Sequence, residues 1–259
     1  MQPCPTRVWL KTVGGLCLGL ALCAGAAVAA TRDAAAKPGK TTKPAATATK
    51  TCAAPAPVSA YVLGDSLAYG LKLAGFEVTL RALLRGPQTI SYDGGRSITT
   101  PGAHIGKTAL ESVAADAAMI ARAKVVIVVL GTNALEPDFT ASQTELMRQL
   151  KALAPGATYY WVDIAATMSN YADVWSERNK LIYGNAATLG YRVVSRYKAI
   201  FGADADPTRI RAGQVFPGMV TEPGYGGLGS IHGHDITLAE ALLDALLADL
   251  DRIAPRPAC

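Results

Sequence analysis

Residues 124–131 read KVVIVVLG, with five β-branched side chains in succession from Val125 to Val129. Branching at Cβ suits an extended strand, and a run with no polar residue leaves no face for water. Such a strand belongs in the middle of a parallel sheet, buried on both faces. Working outward, VSAYVLG (58–64) and QTISYDG (88–94) read as the first and second strands, ATYYWVDIA (157–165) as the fourth and YRVVSRY (191–197) as the fifth. Apolar residues at helical spacing fill the intervals at 66–85, 106–122, 139–153 and 173–189. A final helix is expected to begin at a capping box, Thr237 to Glu240, and to repeat leucines through Leu250. This alternation predicts an α/β domain with a largely parallel sheet, one unit of about 200 residues.

The chain has 259 residues, and its N-terminal part differs from this body. Arg7 and Lys11 precede an apolar stretch that closes on Ala27-Val28-Ala29, so residues 1–29 are expected to be a cleavable secretory signal. Residues 30–57 are mostly Ala, Thr, Lys and Pro, too poor in apolar side chains to offset the entropy of ordering, and read as a flexible linker. Of the 25 Lys and Arg, 18 fall in 58–259 against 19 Asp and Glu, so the body is near neutral although the whole chain carries +5. A near-neutral body argues against a nucleic-acid-binding face, which needs clustered cations on a folded surface. The expected product is exported, periplasmic or secreted, with no membrane span once the signal is removed. Beyond the signal only Cys52 and Cys259 remain, and two thiols at the ends of an exported domain are candidates for a disulfide.

In open parallel sheets ligands sit beyond the carboxyl ends of the strands. There the sequence carries Gly64-Asp65-Ser66 after the first strand, Asp93-Gly94-Gly95-Arg96 after the second, and Gly131-Thr132-Asn133 after the third; GSIHGHD (229–235) precedes the final helix. This order of blocks, spread from Tyr61 to Leu250, resembles the SGNH (GDSL-type) esterase and acyl-transfer superfamily. The resemblance implies a single flavodoxin-like three-layer α/β/α domain with a mostly parallel five-stranded sheet over 58–259. It also implies Ser66 as nucleophile, a histidine as general base, and an oxyanion hole made by the backbone N–H groups of Ser66 and Gly95 with the Asn133 amide. A serine hydroxyl is weak without a base beside it, which explains the histidine. Charge developing on the carbonyl oxygen needs fixed donors, which explains the glycine N–H and the neutral amide.

The same residues have structural alternatives. Ser66 could cap the first helix, since Ser and Asp are preferred there. Asn133 could serve a left-handed turn, Gly131 a turn geometry, and Asp65 the shape of its own turn. Where the superfamily carries an Asp three residues before its histidine, Gly229 precedes His232 and Ile231 precedes His234. His232 is favoured as the base, because Ser-Ile-His matches the superfamily's Gly-Ile-His. Ser230, Asp235, a backbone carbonyl or a water are candidates for the orienting role, with His234 as a neighbour or substrate contact. Arg96 reads either as a cleft residue or as a solvated arginine, and His104 as a loop histidine without a partner. No cofactor is expected, and His-Gly-His with one Asp is too thin a set for a metal. The expected substrate is a small acyl ester, acetyl foremost, carried on a carbohydrate. Transfer of the acyl group to a sugar hydroxyl, or non-catalytic glycan binding, are the alternatives, and oligomeric state is left open.

Overall fold

The computed structural model describes residues 56–133, 136–168, 170–214 and 235–255. The chain divides into two compact units, 1–49 and 50–259, and every described residue lies in the second. The signal segment, the linker as far as residue 55, Cys52, Cys259, Ser230, His232 and His234 therefore lie outside the described residues, as does the side chain of Asp235.

Five strands form one sheet: β1 (Val58–Gly64), β2 (Arg85–Tyr92), β3 (Val125–Val129), β4 (Thr158–Val162) and β5 (Arg192–Val194). Their order is β2-β1-β3-β4-β5, and every pairing is parallel, so the sheet is wholly rather than mostly parallel. This is the flavodoxin-like order, with its switch point between β1 and β3. Side chains alternate faces along each strand. Tyr61, Leu63, Val126, Val128 and Trp161 share one core with Val113 of α3 (Ala109–Ala115), Ile120 of α4 (Ala117–Ile120), Leu146 and Leu150 of α5 (Phe139–Leu153), and Trp175 and Ile182 of α6 (Ala172–Leu189). On the other face Ala60, Val62, Val125, Ile127, Val129 and Tyr160 meet α1 (Ser66–Leu73), α2 (Phe76–Leu84), α8 (Asp235–Ala248) and α9 (Leu250–Ile253). Every residue of β3 is buried, as its unbroken apolar run requires, and each such side chain contributes about 1.5–3 kcal/mol relative to exposure.

The second strand starts three residues earlier than expected, at Arg85, the fourth ends at Val162, and four further boundaries differ from the sequence expectation. The helix predicted over 66–85 is two helices, because Gly75 adopts a left-handed φ of 73° at the start of α2. The stretch 106–122 likewise divides at Asp116. The predicted fifth strand stops at Val194, where Ser195 accepts the Lys198 N–H and starts α7 (Arg196–Phe201). Thr237 does not begin the last helix, which starts two residues earlier at Asp235. A capping box does occur at Thr108, whose hydroxyl accepts the Glu111 N–H while the Glu111 carboxylate accepts the Thr108 N–H. Between α8 and α9, buried Asp249 accepts from Tyr160 of β4, Arg192 of β5 and Arg252, fixing the end of the last helices to the sheet.

Candidate active site

Register brings the candidate residues together. Gly64 of β1 stands opposite Tyr92 of β2 and Val129 of β3, so the three segments that follow leave the sheet side by side. The Asp65 N–H reaches the Val129 carbonyl at 3.2 Å and the Asp93 N–H reaches the Gly64 carbonyl at 3.3 Å, extending both ladders by one residue. Gly64 must lack a side chain, because a Cβ there would lie 2.6 Å from Ala68 Cβ and 2.8 Å from the Val129 oxygen.

Asp65, not Ser66, caps α1: its Oδ1 accepts the Leu67 N–H at 2.9 Å. Ser66 is the first residue of the helix, half-buried, with the capping duty taken by its neighbour. The Asn133 amide nitrogen donates to Asp65 Oδ2 and to the Arg96 carbonyl, both at 3.2 Å. It thereby ties the ends of β1, β2 and β3 into one unit, and donation to a third acceptor would require exchange of one of these two. Gly95 has φ 75°, inside a turn that the Arg96 N–H closes on the Asp93 carbonyl at 3.2 Å. That conformation is where glycine is at no disadvantage. The Gly95 N–H meets no acceptor among the described residues.

Arg96 is neither solvated nor a cleft wall. It is 1% exposed, and its guanidinium points inward to the carbonyls of Lys107 and Gly64 and the hydroxyl of Ser91, at 3.3 to 3.4 Å. Burial lowers its pKa, against the opposing pull of Asp93, Tyr61, Asp116 and Asp65. Asp93 is equally buried. Its Oδ1 accepts the His104 N–H and its Oδ2 the N–H groups of Ile105 and Gly106, at 2.9 to 3.1 Å. Burial alone would raise this carboxyl, yet those three donors and Arg96 outweigh it, and the pKa is held below the ordinary value.

The consequence is that the backbone of residues 104–106 is fixed on Asp93. Ser66, Tyr69, Tyr92, Asp93, Gly94, His104 and Ile105 enclose a cavity of about 440 Å³. His104 is an exposed loop residue, as expected, and it is also part of the cavity wall, which the sequence did not show. Its ring lies against Gly94, where a Cβ would come 3.5 Å from Cδ2 and Nε2. Sequence reasoning also passed over Tyr69 and Tyr92. A signal existed for both: Tyr69 follows Ser66 by three residues on one helix face, and Tyr92 immediately precedes Asp93.

A second buried carboxylate stands beyond β4. Asp163 accepts the Tyr197 N–H at 2.9 Å, the Tyr183 hydroxyl at 2.9 Å and the Ser195 hydroxyl at 2.6 Å. Desolvation nevertheless dominates, and its pKa is pushed up to about 6. Among the described residues no group of three His, Cys, Asp or Glu side chains is placed to hold a metal ion. No helix among them is long and apolar enough to cross a membrane.

No family profile matches the chain, and no curated protein matches it in sequence. Solved structures do. The chain is similar to the periplasmic domain of a lipopolysaccharide acetyltransferase from Salmonella ser. Paratyphi A, with 15% identity and a TM-score of 0.52 over 77% of this chain and 85% of that one. It is similar to TesA, with 18% identity and a TM-score of 0.50 over 75% and 99%. It also matches phospholipase A1 from Streptomyces albidoflavus NA297, with 13% identity and a TM-score of 0.49 over 74% and 99%. At these identities the likeness is one of fold, the parallel α/β arrangement described above being shared with the acetyltransferase domain and TesA.

Proposed function

We propose that the chain is an exported serine esterase that removes small acyl groups, acetyl foremost, from a carbohydrate. The observation that carries this reading is the convergence of Ser66, Gly95 and Asn133 at the ends of three adjacent strands, beside a cavity that Ser66 itself lines. In this reading the domain spans 58–259, behind a signal over 1–29 and a linker over 30–57, with Cys52 and Cys259 joined as a disulfide.

Ser66 Oγ attacks the ester carbonyl carbon as His232 takes its proton. The carbonyl oxygen becomes an oxyanion, held by the N–H groups of Ser66 and Gly95 and by the Asn133 amide, which gives up one of its two present acceptors. The first turn of α1 adds its partial positive charge at the same place. Collapse of the intermediate expels the alcohol, which receives the proton from His232, and water repeats the sequence to free the acid. The orienting carboxylate is absent three residues before His232, so Ser230, Asp235, a backbone carbonyl or a water is left to position the ring, with His234 as a neighbour or substrate contact. A serine enzyme without its carboxylate keeps useful catalysis, since the oxyanion hole and binding alone retain roughly 10³–10⁴-fold over water.

Fluorophosphonate treatment of the exported chain, followed by peptide mass mapping, tests this directly. The expected result is an adduct on Ser66 that His232→Ala abolishes and His234→Ala leaves. An unmodified Ser66 in the wild type would sink the reading and favour non-catalytic glycan binding. The size of the cavity, about 440 Å³, also supports a second reading, acyl transfer to a bound sugar hydroxyl. Product partition with added glycan separates the two: acyl glycan formed faster than free acid identifies a transferase.

A further inference from the structure

We infer that the cavity beside Ser66 is a subsite for a negatively charged glycosyl unit, with Tyr69 as its stacking face and Lys72 as its charge contact. The inference rests on the esterase reading above and names the alcohol half of its substrate. At about 440 Å³ the cavity is several times larger than an acetyl group needs, taking about 30 Å³ as the share of one water molecule. Some other part of the substrate must fill it.

The walls indicate which part. Tyr69 lines the cavity and is 43% exposed. Behind it stands the Tyr92 ring, 5.0 Å away and tilted by 31°, and the Lys72 ammonium sits 5.2 Å from the centre of Tyr92. Across the cavity His104 and Ile105 are held in place by the Asp93 carboxylate. A partly exposed aromatic ring beside a phenol and an imidazole, with an ammonium over the neighbouring Tyr92 ring, matches a pyranose, whose C–H face is apolar and whose rim is hydroxyl. Among the described residues the charge is one-sided. Asp93 is the only carboxylate among the described lining residues, and it is buried and turned into the loop. Glu77 is paired with Arg81, while Lys72 makes no ion pair among the described residues. A ligand carrying a carboxylate fits that balance better than a neutral one.

The test measures binding by calorimetry to the exported chain carrying Ser66→Ala, which prevents turnover. The probes are trigalacturonate and its methyl ester, the same three rings without charge. Trigalacturonate is expected to bind roughly three- to fivefold more tightly than the ester, a gap that Lys72→Gln closes. Tyr69→Ala should weaken both by about tenfold, whereas Tyr69→Trp, which keeps a ring, should not. Equal affinity for acid and ester, unchanged binding by Tyr69→Ala, or failure of both sugars to bind would overturn the inference. Binding of octanoate without either sugar would overturn it too, and would assign the cavity to the acyl chain. Fluorophosphonate labelling of the wild type needs no sugar, so a labelled Ser66 without sugar binding sinks only the subsite. Sugar binding without a label sinks only the esterase.

Discussion

Asp93 and Asp163 occupy equivalent places, each the first residue beyond a strand, each 1% exposed, and each accepting three hydrogen bonds, yet their carboxyls are driven in opposite directions. The donors differ. Asp93 receives three backbone N–H groups from one loop and faces Arg96. Asp163 receives one N–H and two hydroxyls and faces Arg196; desolvation is the largest single influence on both acids, but only at Asp163 does it outweigh the donors and the cation together. Backbone amides are fixed donors that cannot turn away, whereas a hydroxyl can also accept and so satisfies a protonated acid nearly as well. Near Ser66 the carboxylate is thus spent on holding a loop in one shape. Beyond β4 it joins α6 and α7 to the sheet, and it does so in either protonation state.

The largest expected effect is on the Asp163 side. Asp163→Ala leaves the Tyr197 N–H and two hydroxyls without their acceptor inside the core, and should cost about 3 kcal/mol of stability. Urea unfolding at pH 7 measures it, and a loss below 1 kcal/mol would mean that water enters and replaces the carboxylate.

The next effect sets the two acids against each other through pH. A raised folded pKa means that Asp163 binds its proton more tightly when folded. Its stabilising contribution is complete below its ordinary value of 3.8 and is lost as pH rises through about 6. The loss is on the order of 2–3 kcal/mol. Asp93 works with the other sign, because its lowered pKa contributes stability above 3.8 that disappears as pH falls through the depressed folded value. Stability measured from pH 3 to 7 should fall on both sides, and Asp163→Asn should flatten the neutral side alone. A profile unchanged by Asp163→Asn would break the comparison.

What the sequence disclosed follows the same division between local and assembled features. The β3 run, the alternation around it and the three strand-end blocks are local patterns, and the all-parallel sheet with its aligned ends follows from them. The two Thr-x-x-Glu stretches were not distinguishable by pattern. Thr108 caps α3, whereas Thr237 lies inside α8, where Leu238 packs into the core and the helix has already begun. Arg96 was illegible for a different reason: its acceptors come from Gly64, Ser91 and Lys107, three separate segments, and a charged residue looks solvated until they are assembled. His104 lines the same cavity as Ser66 because Asp93, 11 residues earlier, accepts the N–H groups of its loop. Whether His232 completes the site was legible only as a motif, and its placement lies outside the described residues.

The smallest effects separate two glycines near Asp93. A Cβ on Gly102 would lie 2.2 Å from Asp93 Cγ and 2.3 Å from Oδ2. That carboxylate is clamped by three N–H groups and cannot swing aside without releasing the loop, so Gly102→Ala should cost about 1–3 kcal/mol, as overpacking does. A Cβ on Gly94 meets only the His104 ring at 3.5 Å, an ordinary contact, and Gly94 has no left-handed φ to strain. Gly94→Ala should therefore leave stability within about 0.5 kcal/mol, as substitutions free of a named strain do. Activity should order the two differently. Gly94→Ala narrows a cavity that Ser66 shares and should act on KM toward a bulky glycan ester, while Gly102→Ala loosens His104 and Ile105 and should act through the fraction of chains with a formed cavity. Melting curves run beside kinetics on both variants decide the point. If Gly94→Ala is the more destabilising of the two, then Asp93 does not hold the loop, and the contrast with Asp163 loses its physical basis.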